Sequence, residues 1–209
     1  MTVRQRFATL VLACAVLSGG AVTLGAGAAS AAPAVSPVEA ATSDQISVTA
    51  AAALAAVGTD QFPARLGNVA SAIAERLEVG SGRLFTAWAA ADQPHQIALL
   101  SALTQVGVPY RRNASKVGVA FDCSGLTLWA WSQSGIDLPH RSNRQLQIAA
   151  SRTHDTAQAG DLVYYPGHVM LWLGLDDYIV HAPQRGEPVE VGEISNRRVK
   201  RAKFADPTG

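Results

Sequence analysis

The sequence predicts an α+β fold, and two observations indicate it. In the first half of the chain, apolar residues recur at helical spacing, as at Leu66, Val69 and Ile73, which places them on one face of a helix. After Gly160 the pattern changes to short segments rich in β-branched and aromatic residues, separated by Gly, Pro and Asp. Helices followed by antiparallel strands are typical of an α+β domain.

Residues 1–31 have the three parts of a secretory signal peptide. Arg4 and Arg6 supply positive charge, residues 7–17 are apolar, and the small residues 29–31 form a cleavage site. The apolar stretch is shorter than the ~20 residues that a membrane-spanning helix needs. The sequence therefore predicts a secreted protein without a stable membrane anchor.

A linker and a helical extension follow. Residues 32–45 are rich in Ala, Ser and Pro and predict a flexible linker. Helical spacing continues through residues 46–92, interrupted at Pro63 and near Gly80. This extension contains no catalytic candidate, so a packing role is favoured over a binding or inhibitory one. A chain that starts near Asp92 is accordingly expected to retain the chemistry.

Residues 93–205 carry the remaining elements. Ile97, Leu100 and Leu103 share one face of an amphipathic helix that ends before Pro109. The strand candidates are residues 161–165, 168–173, 178–181, 189–191 and 199–204. The last of these is rich in Lys and Arg, which favours a solvated strand edge that discourages edge pairing. Contact with an anionic polymer is the alternative.

Cys123 lies at the predicted start of another helix. Asp122 suits its N-cap, and Gly135 suits the position just past its end. Free N–H groups and the helix dipole favour negative charge there and are expected to lower the pKa of the thiol. Because Cys14 falls inside the predicted signal peptide, Cys123 is the single cysteine of the mature chain. It is therefore a reactive thiol, an intermolecular bridge or a buried structural residue.

Two histidines can act on Cys123 as a base and an orienting residue. His168 opens one predicted strand and His181 ends the next. A two-residue turn would place them directly opposite each other, whereas a four-residue loop would make them diagonal neighbours with Cβ atoms ~7–8 Å apart. An odd loop would separate them onto opposite faces. On a shared face, His168 can take the Cys123 proton while His181 orients the His168 ring.

A zinc site made of one thiolate and two imidazoles is the rival interpretation. Structural zinc sites need four ligands, and neither a fourth ligand nor a CxxC, HxxxH or HExxH spacing is evident. We therefore expect no metal and no cofactor. The chain has 17 Lys and Arg against 16 Asp and Glu, a balance that indicates no nucleic-acid partner.

The order of these motifs resembles that of the NlpC/P60 cysteine peptidases. The residues that carry the resemblance are Tyr110, Phe121 to Leu126 (FDCSGL), Leu138, Pro139, Ser142, Gln145, Gly160 to Val163 (GDLV), His168, Val169 and His181 to Pro183 (HAP). It covers about residues 95–205. It implies a papain-like core in which N-terminal helices, including the cysteine helix, pack on an antiparallel sheet.

The resemblance also implies roles for individual residues. Cys123 would be the nucleophile, His168 the base and His181 the third polar residue. Tyr110 would stand near the oxyanion, and Asp122 and Ser124 would touch the substrate.

The implied activity is hydrolysis of peptidoglycan stem peptides at the cell wall, typically between D-γ-glutamate and a diamino acid. A CHAP-type amidase, an acyltransferase and a non-catalytic wall-binding module are the alternatives. Asn113 and Ala114 stand where many members have glycines, and His140 stands where an arginine is frequent. These departures bear on substrate preference and not on the chemistry.

Overall fold

The computed structural model of this protein describes residues 37–209, with side chains described from residue 45. The predicted signal peptide and residues 32–36 of the predicted linker lie outside the described residues. Residues 37–45 belong to the first helix and not to a linker, which corrects that prediction. Six of the 18 residues of this helix are alanine, and alanine has the highest intrinsic helix propensity.

The described residues form seven helices and eight strands. The helices are α1 (Pro37–Leu54), α2 (Phe62–Leu77), α3 (Ser81–Ala90), α4 (Gln93–Leu103), α5 (Cys123–Ser132), α6 (Ser142–Ile148) and α7 (Asn196–Val199). The strands are β1 (Ser115–Lys116), β2 (Ala120–Phe121), β3 (Ala150–Arg152), β4 (Leu162–Tyr165), β5 (His168–Trp172), β6 (Tyr178–His181), β7 (Glu190–Glu193) and β8 (Lys203–Asp206). None of the helices in this part of the chain is both long enough and apolar enough to cross a membrane.

These elements confirm the α+β class. They also show where local patterns mislead. The predicted strand over residues 199–204 is wrong at its start, because α7 ends at Val199 and the strand begins only at Lys203. Strands β1, β2 and β3 are two or three residues long, too short to produce a detectable alternation.

The main sheet has six strands in the order β3-β8-β4-β5-β6-β7, and all its neighbouring strands are antiparallel. Strand β8 lies between β3 and β4, so the basic segment that ends in it is not a strand edge. That expectation is therefore wrong. Local sequence indicates that a segment is extended, but the position of a strand within a sheet depends on pairing with distant segments.

Both faces of the sheet are covered. Leu162, Leu171 and Val180 face the main core together with the helices. Met170 and Ile179 face a smaller cluster on the other side. Side chains alternate between the two faces of a strand. Because both faces of the sheet are buried at β5, its sequence is apolar without interruption after His168.

The helical extension packs into the main core. Leu66, Ile73, Leu84 and Trp88 are each at most 2% exposed and belong to the same cluster as Leu171 and Val180 of the sheet. The indole N–H of Trp88 donates to the carbonyl of Leu173 at 2.7 Å in the protein interior. The favoured packing role of this segment agrees with these contacts.

A buried histidine ties α4 to the sheet. His95 is fully buried, with Nδ1 2.5 Å from Asp92 and Nε2 3.0 Å from Asp161. Asp206 of β8 lies 3.3 Å from the same Nε2. Burial lowers the pKa of His95, but hydrogen bonds to Asp161 and Asp92 and the charges of both carboxylates outweigh it, so the pKa is raised above its ordinary value.

This network predicts a dependence of stability on pH. Because the pKa of His95 is raised on folding, its stabilising contribution is fully present below its unfolded pKa of about 6.5 and is lost as the pH rises through the folded value. Denaturant titrations across that range are expected to show a falling free energy of unfolding. His95→Asn should cost about 3–5 kcal/mol and flatten this slope. An unchanged slope in the variant would assign the dependence to another group.

Candidate active site

Cys123 is the first residue of α5 and is half-buried. Asp122 caps this helix as predicted, because its Oδ1 accepts the backbone N–H of Gly125 at 2.7 Å. The Cys123 sulfur accepts a hydrogen bond from the backbone N–H of Val169. This contact holds the start of the helix against the start of β5, where His168 is the first residue.

Asp122 holds the loop around the cysteine. Its Oδ2 accepts the backbone N–H of Asn113 at 2.7 Å, and its Oδ1 accepts the Ser124 hydroxyl at 3.2 Å. The His140 Nε2 lies 2.9 Å from the same Oδ1. Asp122 and Ser124 are both buried and bonded to each other, so their contacts are internal. Contact of either one with substrate stays a prediction.

His168 and His181 meet on one face of the sheet. Strands β5 and β6 pair Leu171 with Val180, which is the register of a four-residue loop over residues 174–177. The loop therefore has four residues and not two, and the two histidines are diagonal neighbours. His168 Nε2 lies 2.8 Å from His181 Nδ1, with the ring planes at 84°.

Glu190 extends this pair and was not identified from the sequence. In the β6–β7 pairing it stands directly opposite His181, and its Oε1 lies 3.4 Å from His181 Nε2. A carboxylate one strand away from the second histidine is the signal that could have found it. The strand candidate at residues 189–191 was too short to define a register from local pattern.

Burial keeps the side chains of His168 and Cys123 neutral at rest. Burial, followed by the charges of His181 and Arg198, lowers the pKa of His168 to about 3. Burial also raises the pKa of Cys123, although backbone N–H groups of Val169, Ser124 and Cys123 itself oppose that effect. The expectation of a lowered thiol pKa is therefore wrong, because loss of water around the sulfur outweighs the helix start. The Cys123 thiol and the His168 imidazole are therefore both neutral at rest.

Tyr110 reaches the site from the loop before β1. Its backbone forms a bridge with Phe121, two residues before the cysteine. Burial raises the pKa of its hydroxyl, and the negative charges of the Cys123 thiolate and Asp122 raise it further. The hydroxyl therefore keeps its proton at neutral pH and is a hydrogen-bond donor in the field of the sulfur.

The donor geometry does not support zinc at Cys123, His168 and His181. In the described part of the chain, the one group of three or more His, Cys, Asp or Glu residues with ligand atoms within 4.8 Å of one another is His95, Asp161 and Asp206, the buried network around His95 of α4. The two site histidines instead direct nitrogens at each other across 2.8 Å.

A cavity of about 490 Å³ opens beside the two histidines, and we call it the histidine-side pocket. Its lining includes His168, His181, Glu187, Glu190, Glu193 and Arg198, but not Cys123 or Tyr110. A larger cavity of about 620 Å³ includes Phe204 and Val199, which pack on the second core cluster, and contains no candidate site residue. Of these two cavities, the histidine-side pocket is the one lined by candidate site residues.

Comparison with known proteins adds independent findings. Residues 107–206 match the model of the NlpC/P60 family. A probable endopeptidase of Corynebacterium glutamicum is 32% identical over 180 residues, which cover 83% of this chain and 85% of the relative. A probable endopeptidase of Mycobacterium tuberculosis is 40% identical over 94 residues, which cover 44% of this chain and 24% of the relative.

The peptidoglycan endopeptidase RipA of Mycobacterium tuberculosis is 28% identical over 118 residues, or 49% of this chain and 25% of the relative. A solved structure of a RipA variant superposes with a TM-score of 0.49 at 25% identity, covering 55% of this chain and 62% of that one. This chain thus spans about a quarter of the length of the mycobacterial relatives.

Proposed function

This chain belongs to the NlpC/P60 family, and we propose that it is an exported cysteine endopeptidase that cleaves peptidoglycan stem peptides. The names of its relatives support the reaction class, since two are probable endopeptidases and RipA is a peptidoglycan endopeptidase. The bond between D-γ-glutamate and a diamino acid is the proposed cleavage site. Export is proposed from the signal-like pattern of residues 1–31.

The observation that carries this proposal is the line of contacts from His168 through His181 to Glu190, beside the backbone hydrogen bond that Val169, the residue after His168, makes to the Cys123 sulfur. A carboxylate can only accept a hydrogen bond, so His181 Nε2, 3.4 Å from Glu190, carries a proton. In this tautomer of His181 the Nδ1 is an acceptor. His168 Nε2 lies 2.8 Å away and donates to it. This arrangement leaves the other nitrogen of His168, Nδ1, as the base.

Attack begins with transfer of the Cys123 proton to His168 Nδ1 as the sulfur bonds to the carbonyl carbon of the substrate. Because the Cys123 thiol and the His168 imidazole are both neutral at rest, the proton is transferred from sulfur to nitrogen when substrate is present. The imidazolium formed is stabilised through His181 by Glu190. The Tyr110 hydroxyl and the backbone N–H of Cys123 donate to the oxyanion, where negative charge develops in the transition state.

Collapse of the tetrahedral intermediate breaks the C–N bond and leaves an acyl thioester on Cys123. His168 gives its proton to the leaving amine. A water then attacks the thioester and transfers its proton to His168 Nδ1. The second collapse releases the carboxylic acid, and the proton returns to the sulfur.

Mass spectrometry of fragments released from defined muropeptides tests this function. The wild-type chain is expected to produce a new amine at the diamino acid, and Cys123→Ala to release nothing. A chelator should leave the activity unchanged, since the proposed mechanism uses no metal. Cleavage between sugar and peptide would favour an amidase, a transferred acyl group would favour an acyltransferase, and binding without release would favour a wall-binding module.

A further inference from the structure

Three arginines surround a second cavity, next to the histidine-side pocket. The cavity has a volume of about 490 Å³ and is lined by Tyr165, Pro166, Ser195, Arg197, Arg198 and Arg201. We call it the arginine pocket. The arginines lie on α7 and the turn after it, on a segment of five basic residues between 197 and 203 that contains no acidic residue.

The three guanidinium groups lack acidic partners. Two arginines elsewhere in the described residues are in ion pairs, since Arg83 contacts Asp176 at 3.1 Å and Arg152 contacts Asp206 at 2.6 Å. Within that part of the chain, no carboxylate lies within 4.0 Å of the nitrogens of the three pocket arginines. A guanidinium fork matches the two oxygens of a carboxylate, so the pocket offers three such forks in one place.

Aromatic contacts connect the arginine pocket to the catalytic base. Tyr165 pairs with His168 across the β4–β5 hairpin, and their rings stack with centroids 5.2 Å apart. The guanidinium carbon of Arg198 lies 5.2 Å from the centroid of the same Tyr165 ring. Arg198 lines both cavities, as do Tyr165 and Pro166, so the two cavities are adjoining parts of one surface.

The chemistry assigns this surface to one side of the scissile bond. His168 delivers a proton to the leaving amine, so the part of the substrate beyond the amine extends past His168. The histidine-side pocket beside His168 is lined by Glu187, Glu190 and Glu193, which repel anions. An anionic group of the leaving fragment is therefore accommodated in the arginine pocket and not beside the histidines.

We propose that Arg197, Arg198 and Arg201 form a subsite for a free carboxylate on the amine side of the scissile bond. This inference rests on the proposed endopeptidase function. It means that the enzyme selects stem peptides whose leaving fragment carries an unblocked carboxylate. Amidation or cross-linking of that carboxylate would remove the recognised group.

Two muropeptides that differ only in this carboxylate, one free and one amidated, test the subsite. Wild-type kcat/KM is expected to favour the free acid by about tenfold, mainly through KM, which corresponds to about 1.4 kcal/mol. Arg197→Gln combined with Arg201→Gln should remove the preference. Lys200→Gln is the matched control, since it removes one positive charge from the same segment but does not line the pocket.

The comparison of the two muropeptides with the wild-type enzyme tests the subsite even if the variants fail to fold. Equal cleavage of the two muropeptides would overturn the subsite alone, whereas no cleavage of either would overturn the proposed function and the subsite with it. Retained preference in the folded double variant would also overturn the subsite. Inhibition by glycerol phosphate without any effect of amidation would assign the arginines to a phosphate polymer, against this proposal.

Discussion

His168→Asn is expected to lower turnover of a defined muropeptide by about 10⁴-fold or more, comparable to loss of the base in a serine protease triad. His168 must accept and release a proton twice in each cycle, and an amide cannot do so. His181 has only to hold the His168 ring and its tautomer through the 2.8 Å contact. His181→Asn should therefore retain part of the activity, and His181→Ala less.

Glu190→Gln is expected to have the smallest effect of this series, because an amide oxygen can still accept from His181 Nε2. Glu193 is a matched control, since it lies on the same strand and lines the same pocket without an ion pair among the described residues. The kinetics should be measured on variants with unchanged circular dichroism. Equal loss for His168→Asn and His181→Asn would mean that the roles are wrongly divided, and a greater loss at His181 would reverse them.

Removal of residues 1–91 is expected to abolish folding, contrary to what the sequence alone suggested. Leu66, Ile73, Leu84 and Trp88 are at most 2% exposed, and loss of each comparable buried side chain costs about 2–5 kcal/mol. For four such side chains this amounts to about 8–20 kcal/mol, which is at least as large as the about 5–15 kcal/mol that stabilises a typical domain. Without the Trp88 indole, the buried carbonyl of Leu173 also loses its hydrogen bond.

Thermal unfolding followed by circular dichroism, together with muropeptide turnover, measures this effect. A chain that starts at Pro37 is the control, because it keeps all the described helices and should fold and cleave normally. A chain that starts at Asp92 and is both folded and active would show that the helical extension is dispensable. Higher turnover in that chain would instead indicate an inhibitory role.

Several features of the site could be read from local sequence. The Asp122 cap and the cysteine at the first position of its helix follow from interactions within one helical turn. The shared face of His168 and His181 follows from the alternation of strands joined by an even loop. In each case the signal and the structure it specifies lie within a few residues of each other.

Tertiary structure alone decided the rest. The pairing of β5 with β6 determines that the loop has four residues and not two. Glu190 lies opposite His181 because β7 pairs with β6. The raised pKa of Cys123 depends on burial, and the place of the arginines beside Tyr165 depends on how α7 returns to the sheet. Burial and long-range strand pairing depend on segments that are far apart in the chain. They therefore produce no local sequence pattern from which they could be predicted.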